Sequence, residues 1–333
     1  MKRRRSMGFF AYTFLIFSIV SAISIRVQSS PAQVRATEKP FLWRIEGAVP
    51  SFLYGTVHVP DQRVLELPEV VRRALSASDV FNAEIPLDAS TQLSMMSKIM
   101  LPPGQDLKSL VGDDVYARLL RVVAKGLGHA APPAAADLLG AMLAPMKPWA
   151  VMGQVELLEF LPDITAGRQP LDAMLYQMAT KDGKELGGLE TLDEQIAVFE
   201  AFTKEEQVKM LVAALDDLEK PRPSGISPAR ELVDLYLAGD LTRLAAEMNK
   251  QQNQDAALNK KFIGRVVDDR NTKMAEKIAQ LCAKKPAKSY FFAIGALHYA
   301  GDTGIVSQLT KKGFKITRLG PNDAASIVRK PAA

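Results

Sequence analysis

The chain has 333 residues, 47% of them hydrophobic and 24% charged, with 42 Lys plus Arg against 37 Asp plus Glu and a formal net charge of +5. This composition excludes a disordered chain, and the length allows one large domain or two modest ones with ample core. The charge excess sits in Lys2, Arg3, Arg4, Arg5 and Arg26; without those five bases the balance is 37 against 37, and a neutral body makes nucleic acid a poor partner.

In chain order, the basic residues 1–7 precede an uncharged run from Gly8 to Ile25, with small residues at Ala22 and Ala32. Residues 1–32 therefore read as a signal peptide, or as an N-terminal anchor if uncleaved. The expected location is exported, either periplasmic or extracellular, with membrane contact only through an uncleaved leader. The single cysteine, Cys282, means that the chain stands without an intramolecular disulfide. Its sequence neighbours include no histidine, which favours a small packed hydrophobe over a catalytic thiol.

Phe41–Glu46 and Ser51–His58 are β-favouring runs joined by Gly47-Ala-Val-Pro50, the pattern of a hairpin. A helix follows Pro68, then a β-like run from Asp79 to Ile85. Between about residues 90 and 180 the spacing is helical, with Pro pairs at 102–103 and 132–133 as punctuation. Glu185–Glu190 reads as a strand feeding a helix, because Thr191 and Glu194 fit a capping box. Helices are expected over 204–218, 229–237, 242–249 and 260–283, then a strand over 289–294, a helix over 303–312 and a strand over 314–319. The predicted class is mixed α/β: a central sheet built from the N- and C-terminal strands, with a mostly helical middle. The domain is expected to span residues 40–320, its helical insert about 90–180, and a flexible tail 321–333.

Two segments about 240 residues apart read alike, FLYGTVHVP with Gly55 and His58, and FFAIGALHYAG with Gly295 and His298. Each is an aromatic-rich strand ending in Gly, two small or apolar residues, and His. Glycine lets a strand end turn or approach another group closely, so each His is expected at a sheet edge. Two of only three histidines occupy this repeat; His129, in LGHAAPP, has no such context. The bland alternative is that both imidazoles are hydrogen-bonded at strand ends.

Neutral imidazoles with one or two carboxylates can hold a divalent ion and activate water, and Glu84, Glu190 and Asp302 lie where they could join. Glu84 is the strongest of these, since a carboxylate inside an apolar run costs free energy unless paired or ligated. Asp302 is readily explained as a helix N-cap. Arg270, on an amphipathic helix, reads either as a surface partner of Asp268 or Asp269 or as a group that orients a carboxylate or stabilises an oxyanion.

Taken in order, FLWRIEGAVPSFLYGTVHVPDQRV, AEIPLD, GLETLDEQIAVF, DDRNTKMAEKI and FFAIGALHYAGDTGIVSQLTKKGFKITRL resemble the TraB/GumN family. The resemblance covers most of residues 41–320 and is weakest in the helical middle. It implies membership of a superfamily that also contains the Tiki metalloproteases, ChaN-like haem-binding proteins and erythromycin-esterase-like enzymes. By position it implies His58, His298 and Glu84 as ligands of a divalent metal, with Arg270 as the family arginine and Glu190 in the bacterial G-L-E-T pattern; oxygen-rich ligation with two imidazoles would suit Mn, Co or Zn. The expected function is an exported metal-dependent hydrolase acting on a peptide or small molecule, most simply a peptidase, with Glu190 and Arg270 as its catalytic groups. The alternative is a non-enzymatic exported haem- or small-ligand-binding protein of the ChaN-like type.

Overall fold

The computed structural model describes residues 39–127, 133–220, 227–250 and 255–327. The leader segment 1–32 and His129 lie outside the described residues. Six strands form one sheet: β1 (Leu42–Ile45), β2 (Ser51–Thr56), β3 (Val80–Ala83), β4 (Glu185–Gly188), β5 (Tyr290–Gly295) and β6 (Ile316–Leu319), in the order β4-β3-β5-β2-β1-β6. β1 and β2 form the antiparallel hairpin predicted from Gly47–Pro50, and β6 adds antiparallel to β1. β5 is inserted between β2 and β3 and runs parallel to both, while β4 runs parallel to β3.

The sequences SFLYGT and YFFAIG are buried at every position, as expected of central strands covered on both faces. On one face Phe81 stacks on Phe291 and meets Tyr176 of the helix Leu171–Lys181 edge-on. Among the described residues between β3 and β4, the regular elements from Ala89 to Lys181 are helices joined by short loops, apart from an isolated bridge between Met100 and Met146. This segment is the crossover joining two adjacent parallel strands, and its last helix returns to the sheet. Thr191 and Glu194 make the predicted capping box, and a second one forms at Thr203 and Glu206.

Two expectations are corrected. The helix predicted over 260–283 begins at Ala256 and is interrupted by a π turn, Gly264–Asp268, before resuming as Asp269–Lys284. Asp302 is exposed and caps nothing, because the following helix starts at Ile305 with Gly304 at its N-cap. Beyond β6, Pro321–Ser326 form a 3-10 helix and Ile327 is buried in the core.

Candidate functional site

Four neighbouring parallel strands each deliver one side chain just beyond their carboxyl ends. His58 follows β2, Glu84 follows β3, Glu190 follows β4, and His298 follows β5 through a 3-10 turn, Ala296–Tyr299. The carboxyl edge of a parallel sheet is where α/β proteins place their sites, because the connecting loops there diverge and leave a crevice. Arg270, from the helix Asp269–Lys284, completes the cluster, and all five side chains are buried. The two motif glycines serve close approach. A Cβ on Gly55 would lie 2.7 Å from Cβ of Phe41 and 3.2 Å from Cα of Ala296.

Arg270 is a clamp between two strands. Its Nε and one terminal nitrogen donate to Glu190 at 2.9 and 2.7 Å, and that same nitrogen donates to Glu84 at 2.5 Å. The other terminal nitrogen lies 3.3 Å from both the Val266 carbonyl oxygen and Nε2 of His298. Every donor of the guanidinium is directed at a protein group, and the surface pairing with Asp268 or Asp269 is excluded.

Both imidazoles are fixed through Nδ1. Nδ1 of His58 donates to Asp172 at 2.6 Å, and the other oxygen of Asp172 accepts from the Thr56 hydroxyl at 2.5 Å. Nδ1 of His298 donates to Oδ1 of Asn271 at 2.7 Å; the amide orientation is set by Nδ2 of Asn271, which donates to the Thr303 carbonyl at 3.1 Å. These bonds turn both Nε2 atoms inward, each 3.9 Å from Oε1 of Glu84. Such outer partners set the tautomer and aim of histidine ligands in metal sites.

The electrostatics follow from burial and neighbours. Burial pushes Glu84 up, but the Arg270 guanidinium outweighs it, helped by the histidines and the Gly295 N–H, and holds the carboxyl at about 2. Burial lowers His298 to about 3, so its imidazole is neutral, consistent with a lone pair on Nε2 facing Arg270. Burial also opposes charge on His58, yet Asp172 outweighs it and leaves the pKa raised. Glu190 is raised, chiefly by burial, against the pull of Arg270.

The residues present suit a divalent cation in three respects. Two donors about 2.1 Å from one ion can be separated by at most about 4.2 Å, so both 3.9 Å spacings fall within reach. A Cβ on Gly295 would sit 3.2 Å from Oε1 of Glu84, 3.3 Å from Nε2 of His58 and 3.5 Å from Cδ2 of His298; the glycine leaves open the space among the three. By formal count, the site holds three carboxylates against one guanidinium: Glu84 and Glu190, which Arg270 contacts, and Asp172, which holds His58. In the present arrangement, no group of three or more His, Cys, Asp or Glu side chains among the described residues is close enough together to hold a metal ion.

The structure thus brings together His58, Glu84, Glu190, Arg270 and His298, and leaves Asp302 outside. Sequence reasoning missed Asp172, Asn271 and Thr56. Asp172 lies in the first turn of a helix after Pro170, where an acid is explained by the helix dipole alone, so no local signal marks it. Asn271 stands next to Arg270 in the R-N pair of the family motif, but its partner is visible only in space. Cys282 is half-buried and its thiol is pushed up to about 11 by burial, as suits an inert packing residue. Beside the cluster lies a cleft of about 780 Å³, with Glu190 in its wall together with Pro86, Gly188, Lys273 and Lys277.

Fold and site define a mixed α/β protein with a buried two-histidine, carboxylate and arginine cluster at the carboxyl edge of its parallel strands. The model of the TraB/PrgY/gumN family matches residues 41–318, and the chain belongs to that family. It is 26% identical over 317 residues to a metalloprotease TIKI homolog of Amphimedon queenslandica, covering 85% of this chain and 62% of the relative. It is 26% identical over 316 residues to the metalloprotease TIKI homolog of Nematostella vectensis, covering 84% and 67%. The match to metalloprotease TIKI1 of Homo sapiens is 25% over 309 residues, covering 83% and 61%. The chain spans about three-fifths to two-thirds of the length of these curated relatives. No solved structure matches it. No helix among the described residues is long and apolar enough to cross a membrane.

Proposed function

We propose that the chain is an exported, metal-dependent hydrolase that acts as a peptidase. The observation that carries this reading is the convergence of Nε2 of His58 and Nε2 of His298 on one oxygen of Glu84, around the space left by Gly295. The names of the relatives, metalloproteases at about 26% identity, support the same class. Export rests on the basic start and uncharged run of the leader.

His58, His298 and Glu84 would hold Mn²⁺, Co²⁺ or Zn²⁺, which when bound lowers the pKa of water and polarises a carbonyl. Asp172 and Asn271 aim the two imidazoles, and Arg270 holds Glu84 and Glu190 in register. Hydrolysis of a peptide bond adds water across C–N, and one proton must pass from the water to the departing amine. Glu190 borders the cleft and has a pKa raised towards neutrality, which suits a group that accepts that proton and returns it.

The test is metal analysis of the purified protein, with peptide hydrolysis measured after chelation and after adding back Mn²⁺, Co²⁺ or Zn²⁺. Stoichiometric metal and a loss of at least about a hundredfold in His58→Ala and His298→Ala are expected. A protein that takes up no metal and keeps its activity in both variants would overturn the reading.

A further inference from the structure

The cleft continues into an open sheet edge. β4 is the last strand of the sheet, and among the described residues no strand pairs with its outer side. Glu185 and Leu189 donate their backbone N–H groups inward, to the carbonyls of Asp79 and Ala83 on the β3 side. Alternation along a parallel strand therefore turns the N–H and C=O of Leu186 and Gly188 outward. Gly188, Leu189 and Glu190 line the cleft, so the open edge leads directly to the candidate proton-transfer group.

The opposite wall is one stripe of the helix Asp269–Lys284, made by Lys273, Glu276, Lys277 and Gln280. The spacing i, i+3, i+4, i+7 places these residues on a single face about 10 Å long. An extended chain covers that distance in about three residues. Mixed charge on this wall offers partners to many side chains without selecting one sign.

We propose that the substrate is an extended peptide segment that docks by adding a strand to β4, its backbone pairing with Leu186 and Gly188 and its side chains meeting the Lys273–Gln280 stripe. Strand addition places the segment so that it runs from the edge into the cleft at Glu190. Recognition is then mainly of backbone, for about three residues, and tolerant of side-chain identity. This inference rests on the peptidase reading and names how that site receives its substrate.

The experiment is residue-resolved amide hydrogen exchange on the purified protein with metal removed by EDTA, so that nothing is turned over. The probe is a mixture of unstructured eight-residue peptides with randomised side chains, compared with the same mixture N-methylated at every residue, which leaves neither edge of the peptide able to donate. The plain mixture is expected to slow exchange at Leu186 and Gly188 at least about tenfold, and the methylated mixture to do so far less. Equal effects of the two mixtures, or no slowing at these amides, overturn strand addition. Cleavage of the plain mixture is measured in parallel with Mn²⁺, Co²⁺ or Zn²⁺ restored. Cleavage without protection of Leu186 and Gly188 overturns the docking and leaves the peptidase reading standing; protection without cleavage with any of the three metals does the reverse.

Discussion

Gly295 contributes to the site by lacking a side chain. Its φ of −49° is open to any residue, so Gly295→Ala has no backbone penalty, but its methyl group would enter the space bounded by Glu84, His58 and His298. We expect Gly295→Ala to abolish metal uptake, measured by calorimetric titration, with a far smaller effect on thermal stability. Asp172→Asn keeps the shape of the group that steadies His58 and removes its charge. Metal affinity should fall about ten- to a hundredfold, the usual cost of losing the partner of a histidine ligand. Arg270→Met leaves Glu84 and Glu190 facing each other without their cation. Breaking a buried pair in this way costs about 3–5 kcal/mol, to be read by denaturant unfolding, and adding Glu190→Gln should recover part of it. Because Glu190 is raised by burial, the acid limb of hydrolysis should lie above the ordinary carboxylate value. A base must be deprotonated to act, so a higher pKa moves that limb to higher pH; a pH profile of kcat/KM checks the position.

At the scale of elements, the π turn Gly264–Asp268 explains how one helix serves two tasks. A π turn shifts the register of the residues after it, and such turns recur at functional sites. Here it lies directly before Arg270 and Asn271, both buried, and its Val266 carbonyl accepts from Arg270. Helical periodicity on the chain shows a helix over this stretch but not the extra residue, since the apolar positions on either side remain compatible with one face. A second element, the short helix Gln62–Leu65, hangs on Asp61, which caps it and pairs with Arg63 and Arg230. Burial raises Asp61, but Arg63 and Arg230 prevail and its pKa is lowered from 3.8. A lowered folded pKa means that the stabilisation is complete above 3.8 and is lost as pH falls through the folded value. Asp61→Asn retains the cap and loses the charge, so it should lower Tm near neutral pH, and the gap to the unmodified protein should narrow as the solution is acidified below about pH 4.

For the whole molecule, β5 is the strand on which the sheet depends, because it alone joins β3 and β4 to β2, β1 and β6. A chain ended before Tyr290 should lose cooperative unfolding by calorimetry, although most of its residues and helices remain. Much of this architecture was legible in the sequence: the hairpin, the helical middle, the capped helix after Glu190, and strands at both ends all follow from local patterns of apolar spacing, turn residues and caps. The candidate residues His58, Glu84, Glu190, Arg270 and His298 were also legible, since histidines after strand-end glycines and a carboxylate in an apolar run are unusual enough to stand out. What tertiary structure alone decided is who meets whom. Strand order depends on pairing between segments about 240 residues apart, which no local pattern encodes. Asp172 reaches His58 from 114 positions away, and Asn271 joins His298 across a gap of 27. Residue types and local elements are written in short-range preferences; the aim of each imidazole, and the cleft beside Glu190, arise only when the crossover returns its last helix to the sheet and β5 slots between β2 and β3.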